Sequence, residues 1–251
     1  MRDFTFRTHP EKNIDGFTAL DGTVRFYNFV KAAMLKVGAR EVLDFGAGRG
    51  GIWHDDTSLY RRYLCDLRST GATVTACDVD QVVLTHPCSH AHVVISPGQP
   101  LPFADGAFDI IVSDITFEHI EDPAQVASEL LRIPRPGGYI CARTPNRFGY
   151  VRVMANLIPQ PSHLAVLRRA QPSRKTEDVF PTFYRLNSLS QVRRAFSGCE
   201  VFHFRDSAEP AYVFSSRSLY AAMLIVHKLL PSLLSTGVCF FVRKPSTGVT
   251  A

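Results

Sequence analysis

An α/β fold built on a doubly wound, mostly parallel sheet is predicted by three features of the 251-residue chain. Short β-type runs alternate with helix-patterned segments from residue 21 to residue 146, the rhythm of parallel strands with helices on both faces. The fourth run, FDIIVSD (108–114), is apolar with little interruption, as in a strand covered on both sides. The first run, EVLDF (41–45), enters a loop with glycines at 46, 48, 50 and 51, where a ligand can approach bare backbone.

The elements follow in order. DGTVRFYNFVKAAMLKVG (21–38) sets Val24, Phe26, Phe29, Val30, Ala33, Met34 and Val37 near helical spacing, with Gly38 as the stop. EVLDF is the first strand, and a helix is expected after the glycine loop, over roughly Ile52–Leu67. ATVTACDVD (72–80) reads as the second strand and AHVVIS (91–96) as the third, closed by PGQP. After FDIIVSD, Asp122 caps a helix with Pro123 at its first position, and the glycines of RPGG mark its stop. YICARTPN (139–146) is the fifth strand.

Beyond Asn146 the rhythm breaks for about forty residues, a length that in compact domains often serves as a lid. SLSQVRRAF (188–196) and EVFHF (200–204) then form a helix and a sixth strand, and VCFFVRK (238–244) a seventh. Between them, Arg205 to Gly237 carries the apolar helix SLYAAMLIVHKLLP (218–231), for which core packing is expected. It is too short to span a bilayer, and shallow membrane contact is the other reading. The expected organisation is one domain over 1–251. It comprises a helical extension (1–40), a ligand-binding core (41–146), a lid insertion (147–187) and C-terminal helix–strand units (188–251).

Composition narrows the class. Hydrophobic residues make up 45% of the chain, enough for a sizeable core. No uncharged apolar run of spanning length occurs, and the first residues lack a signal-type apolar core, so a cytoplasmic protein is expected. Cys65, Cys77, Cys88, Cys141, Cys199 and Cys239 form no C-x-x-C pair and read as reduced thiols. Charge is uneven: 13 Lys/Arg face 18 Asp/Glu over residues 1–142, against 15 and 5 over 143–251. The basic C-terminal part is either a meeting place for an anion or a solubilising face.

Gly46, Gly48 and Gly51 formally fit the dinucleotide pattern G-x-G-x-x-G. The acid that closes the second strand, Asp78, lies some ten positions further on than that fold places its ribose partner. Asp44 is more telling. A carboxylate at the mouth of the loop repels a pyrophosphate and attracts an ammonium or sulfonium, unless it only caps local amides.

VLDFGAGRGG (42–51) resembles the first motif of the class I S-adenosylmethionine-dependent methyltransferases, (D/E)-x-G-x-G-x-G. VTACDVD, LPFADGAFDIIVSD, FEHIEDP and RIPRPGGYICARTPN continue the likeness over roughly residues 40–146, close to the type 11-like methyltransferase-domain family. The resemblance implies a Rossmann-like seven-stranded sheet and S-adenosyl-L-methionine as cofactor. By that likeness Gly46, Gly48 and Gly50 let backbone approach the cofactor, and Asp44 sits near its methionine amino end. Asp78 would accept from both ribose hydroxyls, Val79 would cover an adenine face, and Asp114 and Ile115 would border the methionine portion. Where relatives carry an acid for the adenine amino group this chain has Pro97, which passes the task to Gly98 or Gln99.

Methyl transfer from a sulfonium needs positioning and desolvation more than a nucleophile. A base is needed only for a weakly acidic acceptor. His119 and His163 are the candidates, with Asp178, Tyr184 and Arg185 as candidate acceptor contacts. Asp114, Glu118 and His119 are spaced as conceivable metal ligands, and HPCSHAH (86–92) is dense in histidine. The second is expected to be a solvent loop, and no metal is assigned. The expected reaction is methylation of a small molecule, a hydroxyl of a sugar, glycan or lipid-linked or natural-product intermediate. The absence of an (N/D/S)-P-P-(Y/F/W) motif in SDITFEH argues against amino-directed nucleic-acid methylation. A non-catalytic cofactor binder and a nicotinamide oxidoreductase are the remaining alternatives.

Overall fold

The computed structural model describes residues 4–150, 181–207, 209–210 and 216–246. Seven strands are described: β1 (Glu41–Phe45), β2 (Thr73–Asp78), β3 (Ala91–Val94), β4 (Phe108–Asp114), β5 (Pro134–Pro145), β6 (Glu200–Asp206) and β7 (Gly237–Arg243). They form one sheet in the order β3-β2-β1-β4-β5-β7-β6. All pairs are parallel except those of β7, which runs antiparallel to both β5 and β6. The direction of winding reverses between β1 and β4, which opens a crevice at the carboxyl ends of the strands.

Eight helices accompany the strands among the described residues: α1 (Thr5–Thr8), α2 (Lys12–Asp15), α3 (Gly22–Val37), α4 (Gly51–Asp55), α5 (Leu59–Cys65), α6 (Pro123–Arg132), α7 (Leu189–Ala195) and α8 (Arg217–Leu229). Asp21 caps α3 by accepting the Val24 amide, and Gly38 ends it in the left-handed conformation that glycine adopts without steric cost. Asp122 accepts the Ala124 and Gln125 amides at the start of α6, with Pro123 at the first helical position.

The period-two alternation of the strands divides the core. Leu43, Ile111, Ile140 and Phe240 face α6 and α7, meeting Leu130, Val192 and Phe196. Their neighbours Val42, Ile110, Cys141 and Phe241 face the other way, onto Phe26, Val30 and Met34 of α3 and Leu64 of α5. Each large side chain buried in this way contributes about 1.5–3 kcal/mol.

Four expectations are corrected. The helix after the glycine loop is interrupted into α4 and α5, because Asp56 turns the chain and accepts the Ser58 amide at 2.8 Å. The α6 stop is Ile133, and Gly137 and Gly138 lie within β5, which begins earlier than expected. HPCSHAH is not a solvent loop: His86 and Cys88 are buried. The His86 carbonyl holds the His92 ring at 2.9 Å, and the His90 Nδ1 accepts the Val74 amide at 3.0 Å. Burial, together with His92 and Arg68, pushes the His86 imidazole down to about 4. Finally, α8 is not packed in the core. Tyr220 alone among its residues is buried, while Ile225 is 60% and Leu229 78% exposed.

All six cysteines are free, four of them buried. No helix among the described residues is long and apolar enough to cross a membrane.

Candidate functional site at the carboxyl ends of β1, β2 and β4

Gly46, Gly48 and Gly50 all have positive φ, at 76°, 55° and 71°, so the loop after β1 is a sequence of left-handed turns closed to most side chains. The Gly46 and Ala47 amides donate to the Cys77 carbonyl at 2.8 and 3.1 Å, which folds the loop over the end of β2. A Cβ on Gly46 would stand 2.3 Å from the Thr116 side chain. One on Gly48 would meet nothing within 4 Å, so the middle of the loop faces open space.

Three carboxylates gather at this end of the sheet. Asp78 ends β2, accepting the Gly48 amide at 2.8 Å through Oδ2 and the Asp80 amide at 2.9 Å through Oδ1. Asp44 lies on β1 beneath the loop. Burial first, then the charges of Asp114 and Asp78, raise its carboxyl to about 7. Asp114 ends β4 in register with Arg143 of β5, which donates Nε and Nη2 to its two oxygens at 2.6 and 2.7 Å.

Arg143 was not singled out in the sequence. The signal was a lone arginine inside the apolar run YICARTPN, which a buried strand tolerates only opposite a carboxylate. With both Asp114 oxygens on Arg143, that side chain is committed to an ion pair. Among the described residues no group of three His, Cys, Asp or Glu could hold a metal ion.

Ile115 and Tyr184 are the non-glycine residues with positive φ among those described, at 55° and 56°. For a β-branched residue this conformation costs about 1–3 kcal/mol and persists only where the surroundings enforce it. The Ile115 amide donates to the Arg143 carbonyl at 2.8 Å, and the Asp114–Arg143 pair clamps the preceding residue. Ile115 is 44% and Val79 48% exposed, so two apolar side chains border the crevice from β4 and β2. Gly98 and Gln99 occupy an exposed turn beyond β3, with Gly98 at φ 76° and the Gln99 amide on the Ser96 carbonyl.

Glu118 is buried beside His119 in a short turn after β4, where burial pushes its carboxyl up. Its Oε2 accepts from the Thr144 hydroxyl, whose oxygen in turn accepts from Asn187. The Glu118 carbonyl accepts the Phe183 and Tyr184 amides, docking residues 183–187 against the turn. His119 Nδ1–H donates to the Pro181 carbonyl at 2.7 Å, which leaves the lone pair on Nε2 in the neutral ring. Arg185 Nη1 donates to the Glu121 carbonyl. Tyr184 and Arg185 therefore stand beside the turn that carries His119. His163 and Asp178 lie outside the described residues.

The set fits a cationic nucleoside. It offers clustered carboxylates for positive charge, an open-backed glycine loop, a hydrogen-bonding acid at the end of β2 and apolar flanks. Known proteins agree with that geometry. Residues 43–142 match the family described as "Methyltransferase domain". Over 134 residues the chain is 33% identical to a 2-methyl-6-phytyl-1,4-hydroquinone methyltransferase of Synechocystis, covering 49% of this chain and 41% of that protein. A probable S-adenosylmethionine-dependent methyltransferase of Mycolicibacterium smegmatis is 33% identical over 115 residues, 44% of this chain and 40% of its own length. The chain thus matches about two fifths of the length of these curated relatives.

Two solved structures share the fold. One is a complex between the Haloferax volcanii Trm112 methyltransferase activator and the putative methyltransferase. It has a TM-score of 0.53 and 18% identity over 88% of this chain and 91% of that one. The other is the [4+2]-cyclase SpnF, with a TM-score of 0.52 and 16% identity over 89% and 82%.

Proposed function

We propose that this chain, which belongs to the class I S-adenosylmethionine-dependent methyltransferases, moves a methyl group from that cofactor to a small-molecule acceptor. The acceptor atom we assign is a hydroxyl of a sugar, glycan or lipid-linked or natural-product intermediate. The observation that carries the reading is the pair of carboxylates Asp44 and Asp78 at the glycine loop, which favours a bound cation over a phosphate.

When bound, the cofactor supplies an electrophilic methyl on a sulfonium. Asp78 accepts from its ribose hydroxyls, a task suited to a carboxylate already fixed by backbone amides. By the family likeness Val79 would cover the adenine, Gly98 and Gln99 would reach its edge, and Asp44 would stand by the methionine ammonium. Ile115 would exclude water along the methionine portion, beside Asp114. His119, with its proton held on Nδ1 by Pro181, presents Nε2 to take the acceptor proton. Tyr184 and Arg185, on the segment docked against Glu118, border the acceptor.

An acceptor with an apolar tail, or contact with a membrane surface, is supported by the exposed Ile225 and Leu229 of α8. One relative is itself named for a phytyl hydroquinone.

Calorimetry with S-adenosylhomocysteine and with NAD tests the cofactor, and a panel of hydroxyl acceptors with methyl-labelled donor tests the reaction. The reading expects saturable binding of the first ligand and transfer of label. Indifference to S-adenosylhomocysteine at millimolar concentration overturns it.

A further inference from the structure

A second concavity lies apart from the glycine loop, where the ends of β5 and β6 and the start of β7 meet α7. It is a half-open hollow of about 360 Å³, within the range of sites for organic ligands and well beyond the size of a bare phosphate. Two of its lining residues are Arg193 of α7 and Arg205 of β6, and no Asp or Glu is among those described. Leu189, Leu233 and Val238 supply an apolar wall.

Period-two alternation on β6 puts Arg205, His203 and Val201 on one face, the face that packs against α7. Both arginines line the one cavity, and both lie near enough to His203 to act on it. After burial, the charges of Arg193 and then Arg205 lower the pKa of His203. Arg205 keeps one guanidinium nitrogen on the Leu233 carbonyl at 3.1 Å, which aims the side chain along the cavity wall. Asn146, another wall residue, is fixed by donating to the Leu233 and Ser235 carbonyls at 2.7 and 2.9 Å. Two residues earlier on β5, Thr144 bonds Glu118, beside His119. The carboxyl end of β5 thus leads to a cavity residue on one side and carries a partner of Glu118, the neighbour of the candidate base, on the other.

We propose that this cavity binds an organic anion. Its phosphate, sulfate or carboxylate group lies between Arg193 and Arg205, and its apolar body lies against Leu189, Leu233 and Val238. In the molecule's chemistry this is the charged end of the methyl acceptor, an assignment that rests on the methyl-transfer reading above. Paired guanidinium groups favour planar or tetrahedral oxyanions through charge-assisted hydrogen bonds.

The test uses phenyl phosphate, inorganic phosphate and benzyl alcohol as probes, read by calorimetry and by the His203 ring resonance in NMR. Phenyl phosphate is expected to bind once per chain, at least tenfold more tightly than either other probe, and to shift His203. Arg193→Ala weakens it at least tenfold and Arg193→Lys by less, while S-adenosylhomocysteine affinity is unchanged in both. Equal binding of inorganic phosphate or benzyl alcohol, or an Arg193→Ala protein that binds phenyl phosphate normally, overturns the proposal. Phenyl phosphate binding by a protein that ignores S-adenosylhomocysteine sustains the cavity and sinks the methyl-transfer reading alone. With any anionic acceptor that turns over, Arg193→Ala raises KM at least tenfold at constant kcat. An unchanged KM overturns the assignment to the acceptor.

Discussion

Asp114 and Arg143 face each other in register across β4 and β5, joined by two hydrogen bonds at 2.6 and 2.7 Å. Each side chain is only 14% exposed. Arg143→Met strands the Asp114 charge at the strand end, and a destabilisation of about 3 kcal/mol is expected in urea unfolding. The double variant Arg143→Met, Asp114→Leu recovers more than half of that loss, because no unpaired charge remains. A single variant as stable as the parent would show that the pair carries no structural role.

Asp78 ties the glycine loop to β2 through the Gly48 amide and is the proposed ribose acceptor. Asp78→Ala is expected to weaken S-adenosylhomocysteine binding by about 1.5–3 kcal/mol, the worth of hydrogen bonds to a charged group. Asp78→Asn keeps an oxygen for the Gly48 amide but loses the charge and the acceptor that the Asp80 amide uses, so its loss is smaller than that of the alanine variant, which also gives up the Gly48 tether. Calorimetry on the two folded variants separates the tether from the clamp, and equal affinity in all three proteins would remove Asp78 from the site.

How far the sequence could be read follows from how local each determinant is. Most of the strands, the Asp122 cap and the glycine loop depend on neighbours within a few residues, and they appear where the pattern placed them. The break between α4 and α5 is only half local: Asp56 accepts the Ser58 amide within the window Ile52–Leu67, but Asp15, whose carboxylate accepts from Ser58, Leu59 and Tyr60, lies more than forty residues away. The partner of Arg143 likewise needs the β4–β5 register, which hydrophobic pattern alone does not set. The exposure of α8 was missed for a related reason. Its apolar content says that something covers a face, not that the cover is this sheet.

Gly46 has φ 76°, and its missing Cβ leaves room for Thr116. Gly46→Ala therefore meets both backbone strain and a clash, and a cost of about 1–3 kcal/mol is expected. Pairing it with Thr116→Gly removes the clash and leaves the strain, so the double variant recovers part of the stability only. Full recovery, read as Tm, would show that the conformation at residue 46 carries no penalty.

The raised carboxyl of Asp44 makes both stability and binding depend on pH. Burial, Asp114 and Asp78 lift it from its ordinary value to about 7 in the folded chain. Its contribution to stability is present below the unfolded value and is lost as pH rises through about 7. A cationic ligand prefers the ionised form, so affinity for S-adenosylhomocysteine, through its ammonium, rises over the same interval. Asp44→Asn flattens both profiles. Parallel pH profiles for parent and variant would place the titration on another group.

The apolar face of α8 yields the last expectation. Ile225 and Leu229 are exposed, Arg217 and Lys228 stand on the same helix, and the sequence has no acid after Glu209. Apolar area beside cations is the composition that draws a helix into an anionic bilayer surface. The protein is expected to sediment with vesicles of three parts phosphatidylcholine to one part phosphatidylglycerol, and less so as salt rises. The double variant Ile225→Gln, Leu229→Gln removes that binding and leaves stability within about 0.5 kcal/mol at each exposed position. Vesicle binding by the variant equal to that of the parent would move the contact elsewhere. No binding by the parent would leave the tail of the acceptor, not a membrane, as the ligand of this face.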